Sequence, residues 1–268
     1  MDEPIKKISK LFGSDEEPVL FLDTHGVYRA GNIIIKPILE KIESEELAEI
    51  INQLPVSEKI RIPKPIKSIN GNWIEEGYVA WTYLEGKEVG GRYKDKIEVC
   101  DFFTKIFQDV SKPKFIEARN NPWAIADRVT WGELKIQYEE KFQNIINVIQ
   151  PILKPNNLSY QIIHGDITRN IIFNEKEFPG VIDLTLYWRP KDYAKALLIV
   201  DAITWEDTNL DVYNLVVDVP EINQLLLRAG LRRIIEQPEH VKYFGKNKDK
   251  ALEQSSKYLE TLKKLNLV

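Results

Sequence analysis

A single cysteine, Cys100, stands in 268 residues, so no intrachain disulfide is possible and a reducing compartment is predicted. Three histidines, His25, His164 and His240, are too scattered for a paired-histidine metal site. Long apolar runs are also missing. Nothing approaches the ~20 residues of a membrane span, and the first ten residues alternate charged and apolar types without the apolar core of a signal peptide. Charge of one sign is missing too. Lys and Arg number 37 against 41 Asp and Glu, a net charge of -4 that gives no support for general nucleic-acid binding. These absences predict a soluble, cytoplasmic protein with no nucleic-acid or membrane partner.

What is present is an ordinary globular composition, 43% hydrophobic and 29% charged. The length fits one large domain or two lobes. The first eighty or so residues read as strands interrupted by one helix. Strands are predicted over 19–22, 27–30, 33–37, 66–69 and 77–83, with turns at Asp23-Thr24-His25-Gly26, Gly31-Asn32 and Asn70-Gly71-Asn72. Between them, 40–54 carries Leu47, Ile50, Ile51 and Leu54 on one helical stripe, and Pro55 follows as a stop. After Glu85-Gly86 long helical patterns take over, at 93–110, 131–153, 192–207, 222–235 and 250–265. The predicted fold class is α+β: a β-rich N-terminal lobe over 1–84 and a larger helical lobe over 85–268.

The most informative stretch is His164-Gly165-Asp166-Ile167-Thr168-Arg169-Asn170, followed by Val181-Ile182-Asp183. Asp and Asn are common in surface turns, but these are framed by apolar segments at 160–163, 171–173 and 180–184. The layout suits phosphoryl transfer. One aspartate receives or orients a substrate hydroxyl, while an asparagine and a second aspartate offer the hard oxygens that Mg²⁺ takes alongside substrate phosphates.

These residues resemble the catalytic loop and metal-binding aspartate of the aminoglycoside phosphotransferases and choline kinases, in the protein-kinase-like superfamily. Supporting segments are Arg29-Ala30-Gly31 leading into Ile33-Ile34-Ile35-Lys36-Pro37, Tyr83-Leu84-Glu85-Gly86, Pro122-Trp123-Ala124 with Asp127-Arg128-Val129, and Tyr187-Trp188-Arg189-Pro190. The last segments look closest to a little-characterised bacterial branch of phosphotransferase-like proteins. The resemblance spans nearly the whole chain. It implies a two-lobed kinase-like fold, with a small antiparallel β-sheet and one helix in the first lobe.

It also implies roles. Asp166 is the catalytic acceptor or orienter of the hydroxyl; Asn170 and Asp183 hold Mg²⁺ against ATP. Lys36 pairs with the α- and β-phosphates, oriented by a helix carboxylate, for which Glu49 fits best with Glu45 and Glu46 a turn away. His164 braces the loop backbone, and Asp192 accepts hydrogen bonds at a helix start. Thr24 and Gly26 contact phosphate, and Tyr83 and Leu84 meet the adenine beside Trp81. Two departures stand out. Three residues separate Asp166 from Asn170 where kinase loops usually have four, and the phosphate loop has one glycine only.

The expected function is therefore ATP- and Mg²⁺-dependent transfer of the γ-phosphate to a hydroxyl of a small molecule. The alternative is a nucleotide-binding pseudoenzyme that regulates a protein partner, favoured by the two departures. A protein kinase is disfavoured, because eight residues between Asp183 and Asp192 leave little room for a peptide-docking segment. Acidic positions Asp201, Glu206, Asp207 and Asp211 suggest an amine-bearing acceptor.

Overall fold

A computed structural model describes residues 3–22, 26–206 and 208–268. The chain divides into two compact units. The first contains residues 1–88, 109–115 and 170–184; the second contains 89–108, 116–169 and 185–268.

In the first unit, β1 (Val19–Leu22), β2 (Val27–Ala30), β3 (Ile33–Pro37), β4 (Pro65–Ile66), β5 (Ile74–Glu75) and β6 (Tyr78–Thr82) form an antiparallel sheet. Its order is β1-β2-β3-β6-β4, with β5 also paired to β6. The alternation of strand side chains decides what each face does. Ile35 points into a core with Ala30 and Ala80, closed by Ile5, Ile8 and Phe12 of the N-terminal segment. Its neighbour Lys36 points to the other face, where its Nζ lies 5.9 Å over the Trp81 ring. Helix α1 (Glu3–Leu11) covers the core because Ile5, Ile8, Ser9 and Phe12 recur at helical spacing and are buried. Helix α2 (Lys41–Gln53) buries Leu47, Ala48 and Ile51. A second small sheet, β10-β9-β7, joins β7 (Lys87–Glu88), β9 (Ile171–Phe173) and β10 (Gly180–Val181).

The second unit is mostly helical. It contains α3 (Tyr93–Ile106), α4 (Lys114–Ala118, which begins in the first unit), α5 (Pro122–Thr130), α6 (Glu140–Ile149), α7 (Tyr193–Trp205), α8 (Ile222–Phe244) and α9 (Lys248–Lys264). One hairpin-like pair, β8 (Tyr160–His164) with β11 (Leu186–Pro190), runs antiparallel with His164 opposite Leu186. Helix α7 is buried from Tyr193 to Ile203, and α8 packs against α5, α7 and α9.

Several elements differ from the sequence expectation. The helix expected over 131–153 begins only at Glu140 and ends in a 3₁₀ turn over Gln150–Ile152. Trp131 instead closes α5, its amide bonded to the Asp127 carbonyl, and Gly132 turns the chain with φ 75°. A left-handed φ is cheap for glycine and stops a helix. The helix expected to end at Ile235 runs on through Pro238 to Phe244. Proline costs a helix interior about 3 kcal/mol, and burial of α8 from Leu225 through His240 outweighs it. Helices α1, α4 and α5 lie outside the helical patterns expected from the sequence. No helix among the described residues is long and apolar enough to cross a membrane.

Candidate active site

Lys36, Asn170 and Asp183, the residues expected to face phosphate and metal, all fall in the first unit. Pairing of β9 with β10 sets Val181 opposite Ile171, and one step on the Ile182 amide donates to the Asn170 carbonyl at 2.9 Å. Asn170 is therefore placed by a ladder, in spite of the short spacing to Asp166. Asp183 follows directly, with φ 49°. A non-glycine residue in the left-handed region is uncommon, though tolerated by Asp, and such strain clusters at functional sites. Its side chain is 65% exposed, and Lys36 Nζ lies 3.4 Å from Oδ1. The end of β10 is clamped by Arg61, which bonds the Glu177 carboxylate (2.6 Å) and the carbonyls of Phe178 (2.7 Å) and Glu85 (2.8 Å).

The helix carboxylate expected beside Lys36 is not there. At about 100° per residue, Glu49 lies about 200° from both Leu47 and Ile51, so burial of those two turns it to solvent, where it is exposed. Glu46 accepts the amides of Lys114 and Phe115, each at 3.0 Å. Among the described residues, the carboxylate that Lys36 pairs with is thus Asp183 rather than Glu49. Tyr83 lies under the Arg29 guanidinium, 3.7 Å from its ring centroid, and its amide donates to the Asn32 carbonyl. The Thr82 amide donates to Lys64, which leaves Leu84 as the residue of this trio whose amide makes no hydrogen bond among the described residues. Gly26 sits in the turn before β2 with φ 59°. Thr24, with Asp23 and His25, lies outside the described residues.

The loop of Asp166 belongs to the second unit and is held at several points. His164 ends β8, is fully buried, packs edge-on against Phe103 and accepts the Asp166 amide on Nδ1 at 3.1 Å. The Gly165 amide donates to the Thr185 carbonyl (2.8 Å), and its own carbonyl accepts from Arg232 (2.9 Å). Thr168 donates to Asp201 at 2.8 Å. Asp192, at the start of α7, makes no side-chain cap and pairs with Lys195 at 2.9 Å. The loop's bond to α7 runs to Asp201 instead.

Glycine at 165 is a steric requirement. A Cβ there would stand 2.0 Å from Tyr187 Cδ2, and that ring is pinned by the Arg232 guanidinium at 4.4 Å. Gly165→Ala is expected to destabilise the fold by about 1–3 kcal/mol, as overpacking does, and to reduce turnover through displacement of Asp166. Urea denaturation checks the first part; a variant as stable as the parent would mean that the ring moves freely.

Sequence reasoning missed the partner of Asp166. Arg233 of α8 places Nη2 2.8 Å from Asp166 Oδ1 and also pairs with Asp201 (2.6 Å) and Glu236 (3.0 Å). Burial opposes ionisation of Asp166, but the charge and hydrogen bond of Arg233, with smaller help from His164 and Arg232, hold its carboxyl below the usual carboxylate range. The signal is present in the sequence as Arg228, Arg232 and Arg233 in the otherwise apolar stretch 225–235. Asp166, Asp201 and Arg233 also wall a cavity of about 390 Å³. Asp166, Thr168 and Arg169 come from the loop, Asp201 and Trp205 from α7, Arg233 and His240 from α8, and Tyr258 from α9.

The residues present fit Mg²⁺ bound with a nucleotide. No group of three or more His, Cys, Asp or Glu among the described residues would cage a metal. Mg²⁺ needs no such cage, since it takes one or two carboxylates plus phosphates and water. An exposed carboxylate at Asp183 beside the Lys36 ammonium, with Asn170 tied through its carbonyl to the residue before Asp183, offers suitable oxygen ligands and a phosphate-pairing cation.

No protein-family model matches the chain, and no curated protein matches it in sequence. Solved structures do match. A choline kinase from Streptococcus pneumoniae is 12% identical with a TM-score of 0.63, covering 98% of this chain and 98% of that one. A choline/ethanolamine kinase family protein from Mesorhizobium loti is 12% identical with a TM-score of 0.62, over 97% and 99%. A thermostable mutant of an aminoglycoside phosphotransferase, in ternary complex with ADP and hygromycin B, is 13% identical with a TM-score of 0.54, over 96% and 97%. The α+β fold of this chain is that of the kinase-like small-molecule phosphotransferases.

Proposed function

We propose that the protein is a small-molecule kinase that transfers the γ-phosphate of ATP to an alcohol in the presence of Mg²⁺. The observation that carries this reading is Asp166, a half-exposed carboxylate kept ionised by Arg233 on the wall of a cavity large enough for a small metabolite. A fold shared with small-molecule kinases supports it. Phosphoryl transfer asks the protein for positioning and charge neutralisation more than for covalent chemistry. Lys36 would neutralise phosphate charge, and Asn170 and Asp183 would hold the metal, which when bound offsets charge on the phosphates. The acceptor oxygen forms its bond to the γ-phosphorus as the bond to the leaving ADP oxygen breaks, and the hydroxyl proton passes to Asp166. With its pKa held low, Asp166 is a weak base. It orients the hydroxyl throughout and receives the proton late, as suits a loose transition state with little early demand for proton removal.

Thermal unfolding with ATP, with and without Mg²⁺, tests the nucleotide half. Ligand at about a hundred times its dissociation constant adds about 2.7 kcal/mol of stability. A Mg²⁺-dependent rise in Tm is expected for the parent and not for Asp183→Ala. Absence of any rise at millimolar Mg-ATP would leave a degenerate kinase fold.

A further inference from the structure

Resting on that kinase reading, we infer that the acceptor alcohol carries an oxyanion, a carboxylate or a phosphate, and that Arg169 and Lys246 bind it in the cavity that contains Asp166. Three carboxylates and three cations line this cavity, so net charge does not decide the matter. What decides it is which groups are already satisfied.

The carboxylates are engaged. Asp201 receives four donors: Arg233 Nε (3.1 Å) and the Tyr258 hydroxyl (3.0 Å) on Oδ1, Arg233 Nη2 (2.6 Å) and the Thr168 hydroxyl (2.8 Å) on Oδ2. A carboxylate has about four lone-pair sites, so Asp201 has none left for an incoming ammonium. Glu206 accepts the Tyr93 hydroxyl at 2.6 Å and the Gly91 amide at 3.3 Å. Asp166 is paired with Arg233. Asp211 is held by Asn209 at 2.6 Å, and Asp207 lies outside the described residues. Of the acidic positions that suggested an amine acceptor, Asp201 is thus already neutralised, and Glu206 and Asp211 are held by neutral hydrogen-bond donors.

The cations are a different matter. Arg169 is exposed and has no carboxylate partner among the described residues. Lys246 has its ammonium 3.2 Å from His240 Nδ1. Buried against Trp123 and beside the charges of Lys246 and Arg233, His240 is pushed down to about 4 and stays neutral at pH 7. A neutral acceptor fixes the lysine without cancelling its charge, where a carboxylate would have cancelled it. The cavity therefore presents a fork of guanidinium donors and a point charge, both uncompensated, to a molecule whose hydroxyl is at Asp166. That combination recognises carboxylate or phosphate oxygens.

Both cations are exposed, so Arg169→Gln and Lys246→Gln are expected to fold normally. The test is calorimetric titration of the full chain, without nucleotide, with glyceric acid, glycerol 3-phosphate, choline and glycerol. Binding of at least one anionic alcohol is expected, with choline and glycerol silent at the same concentrations, and which anion binds tells carboxylate from phosphate. Each substitution should weaken that binding by about 10- to 100-fold, the weight of one charge-assisted hydrogen bond. Preference for choline, binding of none of the four, or anion binding indifferent to both substitutions would overturn the inference. So would a loss confined to ATP affinity, which would assign these cations to the nucleotide. A Mg-ATP shift in the same preparation is read separately: its absence with anion binding intact would remove the kinase reading alone.

Discussion

Asp166→Ala should lower kcat by about 10²- to 10⁴-fold, the usual weight of a positioned acid–base group, with the Mg-ATP thermal shift retained. The two halves of that expectation come from different parts of the molecule. Nucleotide binding is assigned to Lys36, Asn170 and Asp183 of the first unit, whereas Asp166 belongs to the second. Loss of the side chain leaves the loop braced by His164, Thr168 and the Gly165 carbonyl, and leaves Arg233 paired with Asp201 and Glu236. Folding is therefore expected to survive. The pH profile supplies a second readout. Asp166 has a lowered pKa, so its ionised form persists as pH falls through the ordinary carboxylate range and is lost only below it. The acid limb of kcat/KM that Asp166 controls should accordingly lie below that range and vanish in the Ala variant. Parent-like turnover in Asp166→Ala would remove the residue from the mechanism.

Much of this geometry could be read from residue types, because local rules and tertiary packing agreed. Strand-forming residues on either side of Gly31-Asn32 specify a hairpin, and Leu47, Ala48 and Ile51 form one buried stripe of α2. The apolar segments flanking Asn170 and preceding Asp183 become β9 and β10, whose pairing holds the two residues together. Misreadings arose where a local signal was present but outweighed in the reading. Asn121 caps α5 by accepting the Ala124 amide, with Pro122 at the first helical position, a local start signal that the motif reading of this segment does not use. Ile5, Ile8 and Phe12 carry helical spacing within the charged N-terminal stretch, and it is this spacing that buries them in the core.

The partners of the site were less legible, since they depend on which far-apart residues meet. Lys36 and Asp183 are 147 positions apart, and Asp166 and Arg233 are 67 apart. No spacing rule links such pairs. Resemblance points to Glu49 as the partner of Lys36, whereas its offset from Leu47 and Ile51 places it on the solvent side of α2. Arg232 and Arg233 point to a further lesson. Two adjacent arginines in the otherwise apolar stretch 225–235 cannot both face water when the helix is buried there, so their presence requires carboxylates and carbonyls from neighbouring elements or the next turn of the same helix. Asp201, Glu236, Asp166 and the Gly165 carbonyl are those groups.

Arg233→Met should be the most destabilising single change in the second unit, by about 3–5 kcal/mol, because removal of one partner leaves buried charges uncompensated. Arg233 is buried, and so are Asp201 and Glu236. Two contributions soften the loss: Asp201 keeps the hydroxyls of Thr168 and Tyr258, and Glu236 keeps Arg232 at 3.1 Å, although that contact lacks the alignment of a hydrogen bond. Neither replaces a guanidinium shared among three carboxylates. The sharper test is a double-mutant cycle with Asp201→Asn, which removes the charge that Arg233→Met strands. If the cost is an unpaired carboxylate, the double variant should be less destabilised than the sum of the single changes, by more than the ~0.5 kcal/mol within which independent sites add. Asp166 supplies the functional signature. Without Arg233, burial acts on its carboxyl with its main opposing charge gone, so its pKa should rise and the acid limb of kcat/KM should move to higher pH. A variant that is merely unstable would lose activity in proportion to its folded fraction with the limb unmoved, and that result would reduce Arg233 to a packing residue.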